Sequence, residues 1–190
     1  MTRRGLLHGL LTAGLWSAFT GRAGAAQSAK AMDMKGIEEL QKNWKVYLAE
    51  GYKAPLPSEP LKLANTEWRK RLRPESYKVL REEGTERAGS SPLDSEKREG
   101  VFACAGCDLP VFTSAMKFDS GTGWPSFFTT IPGVFETKTD YLIGYPRTEY
   151  HCKRCGGHHG HVFDDGPRPT GQRWCNNGLS LKFIPKAGKA

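Results

Sequence analysis

The segment Trp174–Ile184, WCNNGLSLKFI, alternates in side-chain character with a period of two residues. Successive side chains of a β-strand point to opposite faces of a sheet, so this alternation predicts an extended strand. Ser180 and Lys182 fall on one side of the segment. The other side carries Cys175, Asn177, Leu179, Leu181 and Phe183.

Short apolar runs continue upstream to about residue 100, each broken by Gly, Pro, Asn or Asp. No helical segments alternate with these runs, so they predict an antiparallel sandwich or barrel. Two short helices are expected before the strands. One runs from Asn65 or Thr66 through Leu72, and the other starts at Pro74 and is closed by Gly84.

The chain has 190 residues, 38% of them hydrophobic, and a formal net charge of +8. This length corresponds to one ordinary soluble domain, or to one domain with appendages. Outside the extreme N-terminus no run of about 18 uncharged apolar residues occurs, which excludes a protein that spans the membrane several times. Over residues 67–87, acidic side chains lie three or four positions from basic ones, as on a solvated helix face. We therefore expect no nucleic-acid partner.

Residues 1–25 have the three parts of an export signal. Arg3 and Arg4 give a basic start, a mildly apolar run covers residues 6–19, and an A-x-A cleavage motif stands at residues 23–25. The paired arginines make the segment similar to a twin-arginine leader. We expect a periplasmic protein without stable membrane insertion after cleavage.

Residues 26–60 are expected to form an N-terminal extension that wraps on the domain. They are mostly polar and end in a Pro-rich stretch. The domain itself is expected over residues 61–190. One amphipathic series marks the extension: Ile37, Leu40, Trp44 and Leu48.

Two CxxC motifs, Cys104–Cys107 and Cys152–Cys155, are separated by 44 residues. Four thiolates presented from two tight turns can complete a closed structural Zn²⁺ site. Paired disulfides are the alternative, because the periplasm is oxidising. A domain of this size has enough core not to need disulfides, which favours zinc.

Cys175 is the fifth cysteine, so at least one thiol cannot be paired within the chain. A lone cysteine is by default a small apolar side chain. Here Arg173 shares its strand face and would favour the reactive thiolate. Asn177 on the same face offers an amide that can hold a polar ligand.

Three histidines stand close to one another in residues 156–163, GGHHGHVF. Such a cluster can be a metal site or an exposed glycine-rich loop. Imidazole beside a thiol also supplies the acid and base that sulfur chemistry needs near neutral pH. A local bend at Gly160 would point His158 and His161 at one cavity, with His159 pointing elsewhere.

An aromatic loop, SGTGWPSFF, covers residues 120–128. It is either a rigid surface turn with a core tryptophan or the wall of a pocket. The second interpretation is favoured by Trp124, because an indole face packs well against a thioether or S-methyl group.

Together these motifs resemble the methionine sulfoxide reductase B family, from about Asn65 to Phe183. The matching stretches are EWRKRL, YKVLREEGTER, FACAGCDLPVFTSAMKFDSGTGWPSF, RTEYHCKRCGGHHGHVFDDGP and RWCNNGLSLKF. The resemblance implies two antiparallel sheets in a distorted barrel with short N-terminal helices and a structural zinc. It also implies reduction of the R epimer of methionine sulfoxide in oxidised proteins or peptides, a repair reaction.

The resemblance implies roles for individual residues. Cys175 attacks the sulfoxide sulfur and is left as a sulfenic acid, with His161 delivering a proton and His158 assisting. Trp124 seats the substrate methyl group. Asn177 is expected as a further catalytic residue, and Arg173 and Phe163 are expected to bind the substrate. The zinc ligands are Cys104, Cys107, Cys152 and Cys155.

The sequence departs from the usual family pattern at three positions. Many members have Cys where Thr122 stands and use it to resolve the sulfenic acid. Without that cysteine, an external thioredoxin-like or small-thiol reductant is required. Asn176 and Gly178 replace an aliphatic residue and Ser, which leaves the fine shape of the pocket open.

Two other functions remain as alternatives. A zinc-ribbon binding module would explain the CxxC motifs but not the histidine cluster or Cys175. A catalytically inactive interaction domain could retain the fold, yet every residue needed for the chemistry is present.

Overall fold

The computed structural model describes residues 32–141 and 144–186. The expected export signal, residues 1–25, lies outside them and stays a prediction. Within the described ranges there are three α-helices and nine β-strands. They are α1 (Met34–Lys42), α2 (Asn65–Arg71), α3 (Pro74–Glu82), β1 (Gly100–Cys104), β2 (Pro110–Thr113), β3 (Lys117–Phe118), β4 (Ser126–Phe127), β5 (Phe135–Asp140), β6 (Arg147–Cys152), β7 (His158–Phe163), β8 (Arg173–Asn176) and β9 (Leu181–Pro185).

The strands form two antiparallel sheets. β1 lies between β2 and β9 in a three-stranded sheet, and the six-stranded sheet has the order β3-β4-β8-β7-β6-β5. The prediction of a mainly β fold with two antiparallel sheets is confirmed. The expected distorted barrel is wrong, because among the described strands neither sheet pairs its edges with the other. β3 and β4 span two residues each, too few to carry a hydrogen-bonded ladder around a closed barrel.

The segment Trp174–Ile184 does not form one strand. Its first part is β8 in the six-stranded sheet, its last part is β9 in the three-stranded sheet, and a 3-10 turn over residues 178–180 joins them. The Glu86 carboxylate accepts hydrogen bonds from two backbone N–H groups of this turn, at 2.5 and 3.0 Å. A period count cannot detect such a contact. The chain therefore leaves the six-stranded sheet directly after Cys175 and Asn176.

Aromatic side chains join the two sheets. Phe112 of β2 stacks on Phe127 of β4 with ring centroids 3.8 Å apart, and Phe102 of β1 meets the same ring edge-on at 5.1 Å. Trp68 of α2 and Leu80 of α3 belong to the same buried cluster. Each such side chain contributes about 1.5–3 kcal/mol through burial. This core fixes the sheets against each other and so fixes β8.

The two predicted short helices are present as α2 and α3. Pro74 is the first residue of α3, where its missing N–H costs no hydrogen bond. Glu83, with φ 55°, adopts the left-handed conformation that ends α3, while Gly84 donates its N–H to the Lys78 carbonyl at 3.0 Å. Among the described residues, no helix is both long and apolar enough to cross a membrane.

The extension packs on the domain through α1. The Asp33 side chain caps this helix by accepting a hydrogen bond from the Gly36 N–H at 2.8 Å. Ile37 and Leu40 of the predicted amphipathic series are buried. Gln41 donates to the Thr129 hydroxyl at 2.7 Å. The described part of the extension is therefore ordered against the loop that follows β4.

Candidate active site and cysteine cluster

One row of side chains crosses the six-stranded sheet at Cys175. Cys175 of β8 is the direct partner of Ser126 on β4 and of His161 on β7, and His161 is opposite Glu149 on β6. Directly opposite residues in antiparallel strands project from the same face of a sheet. A thiol outside the CxxC motifs and an imidazole are therefore neighbours.

A register shift decides which histidines share this face. The β6–β7 pairing slips by one residue at His159, which is the extra residue of a β-bulge. As a result His158 lies on the same face as His161, with ring centroids 5.7 Å apart. His159 is buried on the opposite face, where its Nδ1 contacts Oδ1 of Asn176 at 3.1 Å.

A pocket of about 140 Å³ opens beside Cys175. Four further residues that the sequence assigned to the catalytic or substrate-binding site line it: Trp124, His161, Phe163 and Asn177. His158 and Arg173 are not among its lining residues. The rest of the wall is formed by Thr85, Arg147, Gly160 and Asn176.

Opposing effects set the protonation of Cys175. Burial raises the pKa of its thiol, whereas the charge of Arg173 and hydrogen bonds with the Thr122 and Arg173 side chains lower it. Asp165 positions Arg173 by accepting two guanidinium hydrogen bonds of 2.8 Å each. The guanidinium also lies 4.3 Å above the centre of the Phe163 ring. Arg173 is thus a positioned positive charge behind the pocket.

His161 is held by an acidic partner. Its Nε2 lies 2.9 Å from Oδ2 of Asp140 at the end of β5, and Arg147 pairs with the same carboxylate oxygen. A carboxylate on one ring nitrogen fixes the orientation of an imidazole. The ring can then exchange a proton through its other nitrogen.

His158 is almost completely buried, and its Nδ1 lies 2.5 Å from Oε1 of Glu149. Burial lowers the pKa of His158 to about 4. The ring is therefore neutral at pH 7. Since His158 does not line the pocket, it can influence the reacting atoms only through His161.

Glu86, which the sequence did not single out, fixes both Trp124 and Asn177. Its backbone carbonyl accepts a hydrogen bond from the Trp124 indole N–H at 3.2 Å. Its backbone N–H donates to Oδ1 of Asn177 at 3.0 Å, and Nδ2 of Asn177 donates to the His159 carbonyl at the same distance. Asn177 thus lines the pocket while its amide ties together three segments of the chain.

The unusual residues Asn176 and Gly178 serve the turn after β8. The buried Asn176 amide donates to the Asn177 carbonyl and the Ser180 hydroxyl, at 2.7 and 2.9 Å, and accepts from the Tyr150 hydroxyl at 2.9 Å. A Cβ at Gly178 would come within 1.9 Å of the Ser91 hydroxyl oxygen, so a side chain cannot be accommodated without rearrangement. The Asn176 side chain is completely buried within this network.

The four remaining cysteines form a buried cluster. The sulfurs of Cys104 and Cys155 are 3.7 Å apart, those of Cys107 and Cys152 are 3.5 Å apart, and all four lie within 4.8 Å of one another. Sulfurs about 2.3 Å from one tetrahedral Zn²⁺ lie about 3.8 Å apart, so this donor set fits the ion. Hydrogen bonds among the sulfurs lower the pKa of Cys107 and Cys155, whereas the pKa values of Cys104 and Cys152 are raised, so two thiols of the cluster hold their protons more tightly than the other two. The alternative disulfides are not formed.

Sequence reasoning missed the acidic partners of the site. Glu86, Asp140 and Asp165 each contact a residue singled out above, but Glu86 and Asp140 are more than 20 positions away from those residues in the chain. No local pattern indicates such pairings. Asp165 is the exception, because it stands only two positions after Phe163 and eight before Arg173, close enough in the chain to be considered as a partner.

Comparison with known proteins identifies the family. The SelR domain matches residues 72–185. The peptide methionine sulfoxide reductase MsrB of Agrobacterium fabrum is 47% identical over 131 residues, 68% of this chain and 97% of that protein. The MsrB of Thiobacillus denitrificans is 49% identical over 123 residues, 64% of this chain and 93% of that protein. The chloroplastic peptide methionine sulfoxide reductase B1 of Arabidopsis thaliana is 51% identical over 122 residues, 64% of this chain and 60% of that protein. The chain belongs to the methionine sulfoxide reductase B family.

Proposed function

We propose that the protein reduces the R epimer of peptide-bound methionine sulfoxide to methionine, with Cys175 as the nucleophile. The observation that carries this proposal is the direct cross-strand pairing of Cys175 with His161 at the wall of a small pocket. Members of its family named peptide methionine sulfoxide reductase support the same reaction.

The reaction transfers one oxygen atom between two sulfurs. The Cys175 thiolate attacks the sulfoxide sulfur while His161 donates a proton to the sulfoxide oxygen. The oxygen then passes to the Cys175 sulfur, leaving the thioether of methionine and a sulfenic acid. Methionine sulfur is reduced by two electrons and the cysteine sulfur is oxidised by two, so the step balances without a further reactant.

The pocket suits a methionine side chain. Its volume of about 140 Å³ is below the range of about 300–1,000 Å³ typical of drug-sized ligands. The indole of Trp124 offers a polarizable face for the S-methyl group, and Phe163 adds a second aromatic wall. Substrate and product differ in the sulfoxide oxygen, which only the substrate carries. In this proposal that oxygen lies at the end of the pocket formed by His161, which can donate a hydrogen bond to it.

Regeneration of Cys175 requires an external thiol. Thr122 occupies the position next to the sulfur, and the other four cysteines are gathered in the buried cluster. A first thiol condenses with the sulfenic acid to give a mixed disulfide and water, and a second thiol releases Cys175 as a thiolate. A thioredoxin-like protein or a small thiol supplies both electrons. The physical purpose is repair of oxidised methionine in proteins.

The cysteine cluster holds one structural Zn²⁺ in this proposal. The ion would be bound by Cys104, Cys107, Cys152 and Cys155 and would join the turn after β1 to the turn after β6. Its role is to stabilise the fold at a distance from the reacting atoms.

The N-terminal 25 residues direct export to the periplasm, most simply by the twin-arginine route, and residues 26–60 form an extension of the catalytic domain. The basic start and cleavage motif support this proposal. A fusion of residues 1–25 to a reporter that is active only after export tests it. Replacing Arg3 and Arg4 by lysine is expected to abolish export by the twin-arginine route.

Steady-state turnover with the separated R and S epimers of a peptide methionine sulfoxide, driven by dithiothreitol, tests the activity. We expect methionine from the R epimer only, and none from either epimer with Cys175→Ser. A folded protein that reduces neither epimer would instead favour the inactive interaction domain. Turnover of the S epimer at a similar rate would contradict the assigned stereochemistry.

A further inference from the structure

A second group of potential metal ligands lies on the same face of the six-stranded sheet as Cys175, on β6 and β7 next to His161. It consists of Glu149, His151 and His158, which we call the Glu149 cluster. Oε1 of Glu149 lies 2.9 Å from Nε2 of His151 and 2.5 Å from Nδ1 of His158. The three ligand atoms all lie within 4.8 Å of one another.

These three atoms have no hydrogen-bond partner. In the part of the chain that the structure describes, eight buried side-chain nitrogen or oxygen atoms lack one, and three of the eight are these atoms of the Glu149 cluster. The nitrogens approach the carboxylate closely, but not in the direction of a hydrogen bond. Both Glu149 and His158 are more than 95% buried. Burial of such groups without a partner is unfavourable, so a positive ion placed among them would stabilise them.

The second nitrogen of His151 shows how the ring is oriented. Its Nδ1 contacts the Gly156 carbonyl at 3.4 Å, and a carbonyl can only accept a hydrogen bond. The proton therefore belongs on Nδ1, and the lone pair of Nε2 faces the carboxylate oxygen. An imidazole whose outer nitrogen donates to a backbone carbonyl is the usual arrangement of a metal ligand. Two acceptors that face each other are stabilised by a cation between them.

We propose that Glu149, His151 and His158 bind one divalent transition-metal ion of the Zn²⁺ type, separate from the cysteine cluster. Two histidines and one carboxylate are a donor set that such ions favour. Ligands about 2.1 Å from a tetrahedral ion lie about 3.4 Å apart, so the rings need to retreat by less than about 1 Å.

The surroundings allow an ion to enter. His151 lines a surface cleft of about 440 Å³ that also contains Glu83, Glu136 and Lys138. Nζ of Lys138 lies 3.2 Å from Oε2 of Glu149, the oxygen that does not face the histidines, and 2.7 Å from Oε1 of Glu83. Lys138 thus satisfies one carboxylate oxygen and leaves Oε1 as a single ligand atom. An ion bound there would hold His158, which lies next to His161.

Titration of the full chain with Co²⁺ tests the proposal, after the cysteine cluster has been filled with one equivalent of Zn²⁺. We expect one further equivalent to bind. Its visible bands should be weak, without the intense near-ultraviolet absorption that thiolate ligands give. His151→Gln should lose this equivalent. The matched control is Glu136→Gln, which changes an exposed residue of the same cleft and should keep it.

A measurement on the unmodified chain covers the case in which His151→Gln does not fold. Bound Co²⁺ should broaden the ring proton resonances of His151 and His158 most strongly. The proposal is overturned if no second equivalent binds, if the folded His151→Gln variant still binds it, or if the broadening centres on other histidines. Because every readout is metal binding, failure here leaves the proposed reductase activity untouched, and the reverse also holds.

Discussion

Cys175 and His161 are direct cross-strand partners in the β7–β8 pair, and both border the same small pocket. The sheet itself therefore sets their separation, rather than a mobile loop. Hydrogen-bonded strands hold such neighbours about 4.5–5.5 Å apart at Cβ. In the proposed reaction, a nucleophile and a proton donor placed in this way need little rearrangement.

The charge of Arg173 should set the pH at which Cys175 becomes reactive. Burial raises the pKa of Cys175 and Arg173 lowers it, so Arg173→Met removes a lowering effect. The pH midpoint of Cys175 alkylation by iodoacetamide should shift upward. Activity in the neutral range should fall with it, since less thiolate is present. The control Arg168→Met removes the same charge from an exposed loop and should leave the pH midpoint unchanged. An unchanged midpoint in Arg173→Met would show that the guanidinium does not act on the thiol.

The Asp140 carboxylate should matter for turnover rather than for substrate binding. It contacts His161 at 2.9 Å and is not among the residues that line the pocket. Asp140→Asn should lower kcat at least about tenfold, a part of the roughly 10²–10⁴ that general acid–base catalysis supplies, with KM little changed. Steady-state kinetics on a variant of unchanged Tm measures this. A rise in KM at constant kcat would assign Asp140 to substrate binding instead.

Loss of the Glu86 side chain should loosen the turn after β8. The carboxylate accepts two backbone hydrogen bonds there, and its removal leaves two N–H groups unpaired. Glu86→Ala should lower the free energy of unfolding by about 2–4 kcal/mol and raise KM, because Asn177 borders this turn. Urea unfolding and kinetics measure both effects. The control Glu82→Ala breaks an exposed ion pair and should lower the free energy of unfolding by less than about 1 kcal/mol. Equal decreases in the two variants would refute the assigned role of Glu86.

The cysteine cluster should govern stability and Cys175 should govern chemistry. Cys107→Ser removes one of four converging sulfurs and should lose bound zinc together with several degrees of Tm. Cys175→Ser should retain both and lose turnover. Metal analysis and thermal unfolding of the two variants separate the roles. A Cys107→Ser variant with full zinc content would disprove the four-sulfur site.

Local patterns predicted much of this molecule. Two CxxC motifs predicted a convergence of four sulfurs. The Gly-rich HHGHVF run predicted a bend at Gly160 that points His158 and His161 at one cavity. Only His161 lines the pocket, although the two rings share one face of the sheet. The bulge at His159 supplies the physical reason, because one extra residue resets the alternation of side chains.

Contacts between residues that are far apart in the chain could not be predicted from local sequence patterns. The period-two segment at Trp174–Ile184 spans two sheets, since buried hydrogen bonds from the turn to Glu86 override the alternation. The prediction of a closed barrel was wrong for a similar reason. Closure depends on strand length, and the short β3 and β4 are set by tertiary packing that a local pattern does not show. The partners of Arg173 and His161 likewise became visible only in three dimensions.

The most direct test of the central claim is a single turnover without reductant. The zinc-loaded protein is mixed with excess R epimer of a peptide methionine sulfoxide, and methionine is quantified together with the intact mass of the chain. We predict one methionine per chain and the gain of one oxygen atom, trapped as a sulfenic acid at Cys175. Methionine formed without oxidation of Cys175, or no methionine from a folded chain, would contradict the account.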